Sequence, residues 1–225
     1  NASREGTRRS DGPRFPRIGH EEVLNATKTS DHWNTPLERE GPDGKLRGRG
    51  LASAYCGNAG GKSAVVLSLN SDGSVALVEG SADLSGSRAI VAMEVAEVLG
   101  LESDEVQPLI PDTGSIGYTG TTGGSRVANA TGMAAVQAAE GLLEKMKAGL
   151  AVGWEVDASE VNFADGEFSS PSDAELRIGF RELAGRLDGS AGPIMASGSV
   201  DLPDGGGGIF GTHIADVEID PETGK

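Results

Sequence analysis

Two strand-like runs separated by a four-residue turn place the strongest constraint on how this chain folds. Residues 63–69 and 74–80 are short, rich in Val and Leu, and bounded by polar residues, as strands are. Residues 70–73 read Asn-Ser-Asp-Gly, a combination that favours the tight turn of an antiparallel hairpin. We therefore predict a β-hairpin, around which the other elements must be arranged.

The remaining sequence predicts both helices and strands. A helix is expected over residues 87–99 with Gly100 as its C-terminal cap, a long Ala-rich helix from Ser125 to about residue 150, and an amphipathic helix over residues 172–187. Strands are expected over 105–110, 161–169 (a small hairpin), 193–200 and 209–220. The predicted fold class is α+β, with antiparallel hairpins and mixed sheets and with helices packed on them.

Charge separates the first part of the chain from the rest. Residues 1–50 carry ten basic and eight acidic side chains, whereas the remaining residues carry nine and twenty-six. We expect an N-terminal basic arm or linker over residues 1–48 and a folded domain over residues 49–225. The overall charge of −15 repels a phosphate backbone, so no nucleic acid partner is expected. Apolar runs are far shorter than the roughly 20 residues of a membrane span, so none is expected.

The ends of the sequence predict a piece of a longer protein. The chain opens without Met or a signal-like stretch. Residues 209–220 are strand-like and residues 221–225 form a turn-like sequence with no return strand behind it. We expect this segment to be incomplete and inactive alone.

Two apparent motifs carry little weight. Residues 57–63 resemble a phosphate-binding loop, but Cys56 stands where its first glycine belongs, and a predicted strand follows where a helix should begin. Because Cys56 is the only cysteine, zinc or iron–sulfur sites with several cysteines are excluded within this chain. We expect Cys56 to be a small buried residue and any redox metal to lie elsewhere.

A repeated tripeptide is the more informative signal. Gly86-Ser87-Arg88 and Gly124-Ser125-Arg126 both stand where a helix is predicted to start. Free amides and the helix dipole favour an anion there, and an arginine in the first turn suits a compensating anion. The alternative is two ordinary capped helices whose arginines pair with Asp83 and Asp112. Because the hydroxyl-bearing residues 121–122 flank the second tripeptide, we favour an anionic ligand.

Several stretches together resemble the molybdopterin-binding large subunit of the xanthine dehydrogenase and aldehyde oxidase family. They occur in the family's order and include Thr-Gly-Gly-Ser-Arg at 122–126 and Thr-Gly-Met-Ala at 131–134; the others are residues 48–53, 96–100, 112–113 and 213–224. The resemblance implies a molybdenum hydroxylase, in which molybdenum is held by molybdopterin. In bacteria the cofactor is commonly the cytosine dinucleotide form. Such enzymes hydroxylate a heterocycle or aldehyde with oxygen from water.

The resemblance also implies which residues contact the cofactor and which partners are present. The residues are Asp83, Ser85, Gly86, Ser87 and Arg88 in one loop, and Asp112, Thr113, Thr122, Gly123, Gly124, Ser125 and Arg126 in another. The expected partners are the rest of the large subunit, iron–sulfur and FAD-containing domains or subunits, and a small-molecule substrate. A cytoplasmic location is expected, with the periplasm as the alternative.

Two features of the family pattern are missing. The family's Gly-Gln-Gly loop has no glutamine here, where the sequence runs Asp-Leu-Ser-Gly-Ser-Arg over 83–88. The segment that carries the family's catalytic glutamate is also absent, so no catalytic residue and no protein ligand to a metal is expected in this chain. These departures leave open a second hypothesis, a non-enzymatic anion-binding or assembly module derived from the same fold.

Overall fold

The computed structural model describes residues 2–10, 12–188, 193–203 and 208–225. The chain forms two compact units, Asn1–Gly57 with Gly207–Lys225, and Asn58–Gly206. None of the helices in the described parts of the chain is both long and apolar enough to span a membrane.

In chain order the helices and strands are α1 His20–Thr29, α2 Asp31–Asn34, β1 Leu46–Gly57, β2 Gly61–Leu69, β3 Val75–Glu79, α3 Ser87–Leu99, β4 Val106–Leu109, α4 Gly132–Trp154, β5 Asn162–Ala164, β6 Glu167–Ser170, β7 Asp173–Gly179, α5 Phe180–Asp188, β8 Met195–Leu202 and β9 Gly208–Ile219. A π-helical turn, Val127–Thr131, precedes α4.

The first unit is built on a long antiparallel ribbon. Strands β1 and β9 pair along their full lengths, from Leu46 opposite Ile219 to Gly57 opposite Gly208. Arg47 and Arg49 form ion pairs with Glu218 and Asp216, the residues directly opposite them. The strand predicted over 209–220 therefore has its partner upstream, in a strand that the sequence reasoning missed.

A four-stranded sheet organises the second unit, in the order β4-β3-β2-β8. Strands β2 and β3 form the predicted antiparallel hairpin, and β8 pairs antiparallel with the other edge of β2. Strand β4 lies parallel to β3, and the connection between them contains α3. The sheet is therefore mixed, and the α+β class is confirmed.

Strict alternation in β2 and β3 creates the core face of this sheet. Val65 and Leu67 of β2 and Val75 and Leu77 of β3 are almost fully buried. Helix α4 covers them with a row of buried alanines, which allow a helix to approach a sheet closely. Gly198 of β8 is required there, because a Cβ would stand 2.0 Å from the carbonyl oxygen of Ala134.

A small three-stranded sheet, β5-β6-β7, completes the second unit. Its core is aromatic: the rings of Phe163 and Phe168 are 4.6 Å apart, and Phe180 stacks on Phe168 at 6.4 Å. The predicted hairpin over 161–169 is present and turns at Asp165 and Gly166, both with positive φ.

Two local expectations were wrong. Residues 172–187 are not one helix, because β7 occupies the first half and pairs with β6. Cys56 is exposed rather than buried. Strand β1 runs across residue 48, where the arm was expected to end. The domain boundary at that residue stays a prediction.

Candidate functional site

Two loops of the second unit meet. They carry all of the predicted cofactor contacts except Ser87 and Arg88. These two residues begin α3, directly after the first loop. We call residues 80–86 the first loop and residues 112–126 the second loop. The Thr122 hydroxyl donates to the carbonyl oxygen of Ala82, at 3.0 Å, and so joins them. Gly80 also lies under the second loop, because a Cβ there would stand 2.6 Å from the Ile116 side chain. The structure thus brings together loops that are separated by 25 residues in sequence.

The first loop turns into α3 through two successive left-handed residues, Ser85 with φ of 58° and Gly86 with φ of 76°. Asp83 then caps the helix: its Oδ1 accepts from the Arg88 amide at 3.3 Å and from the Ser87 hydroxyl at 3.5 Å. The amide of Ser87 donates to the carbonyl oxygen of Leu84.

These contacts correct the expectation of free amides at the start of α3. The amides of Ala89 and Ile90 both donate to the Gly86 carbonyl oxygen, so the first-turn donors already have acceptors. Any anion at this position would be held by the Arg88 side chain. Its Nε is buried and has no hydrogen-bond partner among the described residues, and the side chain lines a cleft of about 530 Å³.

The second loop begins with a turn around Asp112. The carboxylate of Asp112 accepts from the Gly114 amide at 2.9 Å and from the Ser115 hydroxyl, and these bonds lower the pKa of Asp112 below its usual range. Asp112 and Thr113 are exposed. Their place in a cofactor site therefore stays a prediction.

The second loop ends as the first does, with two successive left-handed residues, here Gly124 with φ of 63° and Ser125 with φ of 56°. The carbonyl oxygen of Gly124 accepts from the Ala59 amide at 2.8 Å. Around Gly123, as around Gly86, no heavy atom lies within 4 Å of the position of a Cβ. Both loops therefore leave open space beside their backbones.

Arg126 is buried, and its guanidinium is hydrogen-bonded to other parts of the protein. Its Nε donates to the carbonyl oxygen of Gly60, Nη1 to that of Gly120, and Nη2 to that of Lys62, at 2.9, 3.0 and 2.7 Å. Nη2 also donates to the Ser63 hydroxyl at 2.9 Å. The guanidinium thus ties the second loop to the start of β2. It lines a cleft of about 560 Å³ whose other lining residues are Gly61, Lys62, Tyr118, Gly120 and Asp201.

The second tripeptide does not start an α-helix, contrary to the expectation at Ser125. Val127–Thr131 form a π-helical turn, and α4 begins at Gly132. A π-turn places one extra residue in a helix, and such turns are frequent at functional sites. Here the turn directs Thr131, which is fully buried, toward the sheet, where it contacts Ser63 and Ser81.

Sequence reasoning missed a buried carboxylate beside these loops. Glu79 is the last residue of β3 and follows Val75 and Leu77 on the core face, where it is fully buried. Its Oε2 accepts from the Ser81 amide at 2.5 Å, and its Oε1 has no partner among the described residues. Burial raises the pKa of Glu79. A charged residue in the buried register of an alternating strand was the available signal.

Comparison with known proteins places this fold in a defined family. The molybdopterin cofactor-binding domain model matches residues 26–225. The solved quinoline 2-oxidoreductase of Pseudomonas putida 86 matches with a TM-score of 0.81 and 18% identity, over 98% of this chain and 31% of that one. Reconstituted CO dehydrogenase from Oligotropha carboxidovorans matches with a TM-score of 0.68 and 20% identity, over 89% and 26%.

A third solved structure, the aldehyde oxidoreductase from Desulfovibrio desulfuricans, matches with a TM-score of 0.54 and 21% identity. The match covers 91% of this chain and 21% of that one. At these identities the likeness concerns the fold. The chain therefore spans a third or less of the length of these three solved chains.

Proposed function

The chain belongs to the molybdopterin cofactor-binding domain family, and from this premise we propose that its first and second loops hold the cofactor within the large subunit of a molybdenum hydroxylase. The observation that carries the proposal is the hydrogen bond from Thr122 to the Ala82 carbonyl, which joins two loops that each lead into an arginine. One continuous polar surface is what a long, phosphate-bearing cofactor requires.

The residues fit such a group. Arg88 has a buried Nε without a partner among the described residues, and a guanidinium is well suited to bind a phosphate. Open space beside Gly86 and Gly123 allows a ligand to approach the backbone closely. Arg126 would contribute mainly positive charge, because most of its N–H groups are already bound to the protein.

The chemistry belongs to the bound group, whose molybdenum would support hydroxylation of a heterocycle or aldehyde with oxygen from water. This chain's residues would bind and orient that group, and we assign no catalytic residue among them. Two arginines, one at the end of each loop, suit a cofactor with two phosphates, so we favour the cytosine dinucleotide form.

The sequence stretches shared with the xanthine dehydrogenase and aldehyde oxidase family support assignment of the whole protein to that family. It would then work with the rest of the large subunit, with iron–sulfur and flavin domains or subunits, and with a small-molecule substrate. We favour a cytoplasmic location, with the periplasm as the alternative.

The test uses the native, full-length polypeptide that contains this segment. Molybdenum and the cytidylate released by acid are measured per polypeptide, and near-equal amounts are expected. Arg88→Ala should lower both amounts together, because it removes the side chain with an unused donor. Arg177→Ala is the matched control, since Arg177 is an exposed arginine of the small sheet, paired with Glu167.

Each result separates the hypotheses. A wild-type polypeptide free of both molybdenum and cytidylate would contradict the enzyme assignment and favour the anion-binding or assembly module. Molybdenum without cytidylate would contradict only the dinucleotide form. Unchanged contents in Arg88→Ala would remove Arg88 from the site.

A further inference from the structure

A line of buried polar groups runs beneath the two loops and connects their ends. The Arg126 Nη2 donates to Ser63 Oγ, which lies 3.0 Å from Thr131 Oγ1. Thr131 Oγ1 lies 2.9 Å from Ser81 Oγ, and the Ser81 amide donates to the Glu79 carboxylate. All five residues are at most 5% exposed. Ser81 belongs to the first loop and Arg126 to the second, so the line spans both.

The guanidinium end fixes the direction of the hydrogen bonds next to it. A guanidinium only donates, so Ser63 Oγ accepts from Arg126 and has its one proton left for Thr131. Thr131 in turn has its own proton left for Ser81, so one oxygen makes both central contacts.

We propose that Thr131 is a positioning residue that couples the two loops, contacting Ser81 of the first loop directly and Arg126 of the second through Ser63. The loops then behave as one anion-binding unit whose halves cannot rearrange independently. The proposal rests on the proposed function for the identity of the ligand, whereas the coupling of the loops is a property of this chain alone. The Thr131 hydroxyl is its weakest point, because a single oxygen makes both central contacts.

The experiment uses the full-length protein and follows amide hydrogen exchange in residues 81–88 and 120–126, together with molybdenum and cytidylate content. Thr131→Val keeps the shape of the side chain and removes the hydroxyl. Exchange should accelerate in both loops by about tenfold, the effect of one lost buried hydrogen bond, and cofactor content should fall. Thr131→Ser restores the hydroxyl and should stay within about twofold of wild type in both measurements.

A second variant tests the line from the first loop. If Thr131→Val does not fold, Ser81→Ala interrupts the same line by removing one oxygen from the first loop, and accelerated exchange in residues 120–126 is expected.

The outcomes are distinct. Faster exchange in residues 120–126 alone after Thr131→Val would overturn the coupling, and so would equal effects of Val and Ser at position 131, which would indicate packing of the methyl group. Unchanged cofactor content in Thr131→Val would overturn the positioning role of Thr131. A wild-type protein without cofactor would defeat the proposed function, but the exchange measurements would still decide whether the loops are coupled.

Discussion

The two Gly-Ser-Arg tripeptides have the same sequence and different structures. Both lie at a pair of left-handed residues, but the pair is Ser85 and Gly86 in the first loop and Gly124 and Ser125 in the second. The residue that follows the pair is buried in both cases. It is Ser87 in the first and Arg126 in the second. The left-handed pair is shifted by one residue relative to the tripeptide. A serine is therefore buried after the first pair and an arginine after the second.

The consequence is a division of labour between the arginines. Arg88 comes one residue later, stays half-buried and keeps an unused donor, whereas Arg126 forms four hydrogen bonds within the protein. A short motif thus indicates where an anion site can form. The backbone register around the motif decides which residue is buried in the protein.

The largest loss of stability should come from replacing Arg126, the arginine that is hydrogen-bonded within the protein. Arg126→Ala removes a donor from three carbonyl groups and from Ser63, although the Lys62 carbonyl keeps a second one, the Gly120 amide. We therefore expect a loss of about 3–5 kcal/mol in the free energy of unfolding. Arg88→Ala should cost below about 1 kcal/mol, because its side chain is only half-buried. Urea denaturation of the full-length protein, monitored on this domain, measures both. Similar losses for the two variants would mean that the arginines do not differ in role.

Replacement of the glycines in the two tripeptides should give a smaller difference in stability. Both have positive φ, so replacement by alanine costs about 1–2 kcal/mol in backbone strain at either site. At Gly124 the new Cβ would also stand 3.1 Å from the Cβ of Ala59, whereas Gly86 faces open space. We expect Gly124→Ala to be the more destabilising by about 1 kcal/mol. Thermal unfolding of the two variants checks the order, and the reverse order would contradict it.

A pH-dependent effect should appear where the helices that follow the two tripeptides touch. Glu94 of α3 lies against Gly132, the first residue of α4, and burial raises the pKa of Glu94 to about 7. The protonated form is favoured in the folded state. This contribution to stability is therefore complete below pH 4.5 and is lost as the pH rises through 7.

Glu94→Gln should therefore stabilise the domain at pH 8 and flatten its stability between pH 5 and 8, as measured by the urea midpoint across that range. Glu97→Gln, on an exposed position of the same helix, should leave the profile unchanged. A wild-type profile that rises between pH 5 and 8, with the same slope in Glu94→Gln, would contradict the assignment.

The sequence was sufficient to predict elements whose bounds are determined by neighbouring residues. Helix α3 begins and ends where its sequence predicts, because Gly100 with φ of 63° terminates it whatever the surroundings. Residues 173–179 show the opposite case. Their Ala-Glu-Leu-Arg composition favours a helix, but pairing with β6, with Ile178 opposite Phe168, imposes a strand.

The sequence indicated two candidate loops, whose place in a cofactor site stays a prediction, but it did not indicate how their side chains are bonded. The tripeptides and the Thr-Gly-Gly stretch indicated the two loops. The burial of Arg126 was not predictable, because its acceptors lie at Gly60 and Lys62, more than 60 residues earlier in the chain. Thr131 was missed for the same reason, since its partners Ser63 and Ser81 lie 68 and 50 residues earlier in the chain.

The pairing of β2 with β8 has a consequence for the timing of assembly. Arg126 donates hydrogen bonds to residues 60–63. The other side of this stretch is paired only when β8 is present, with Leu202 opposite Gly61. A ribosome that adds about 5–20 residues per second needs on the order of ten seconds to pass from one strand to the other. Throughout that interval the nascent chain lacks a finished site. The proposed function therefore predicts that cofactor insertion follows synthesis of this domain rather than accompanies it.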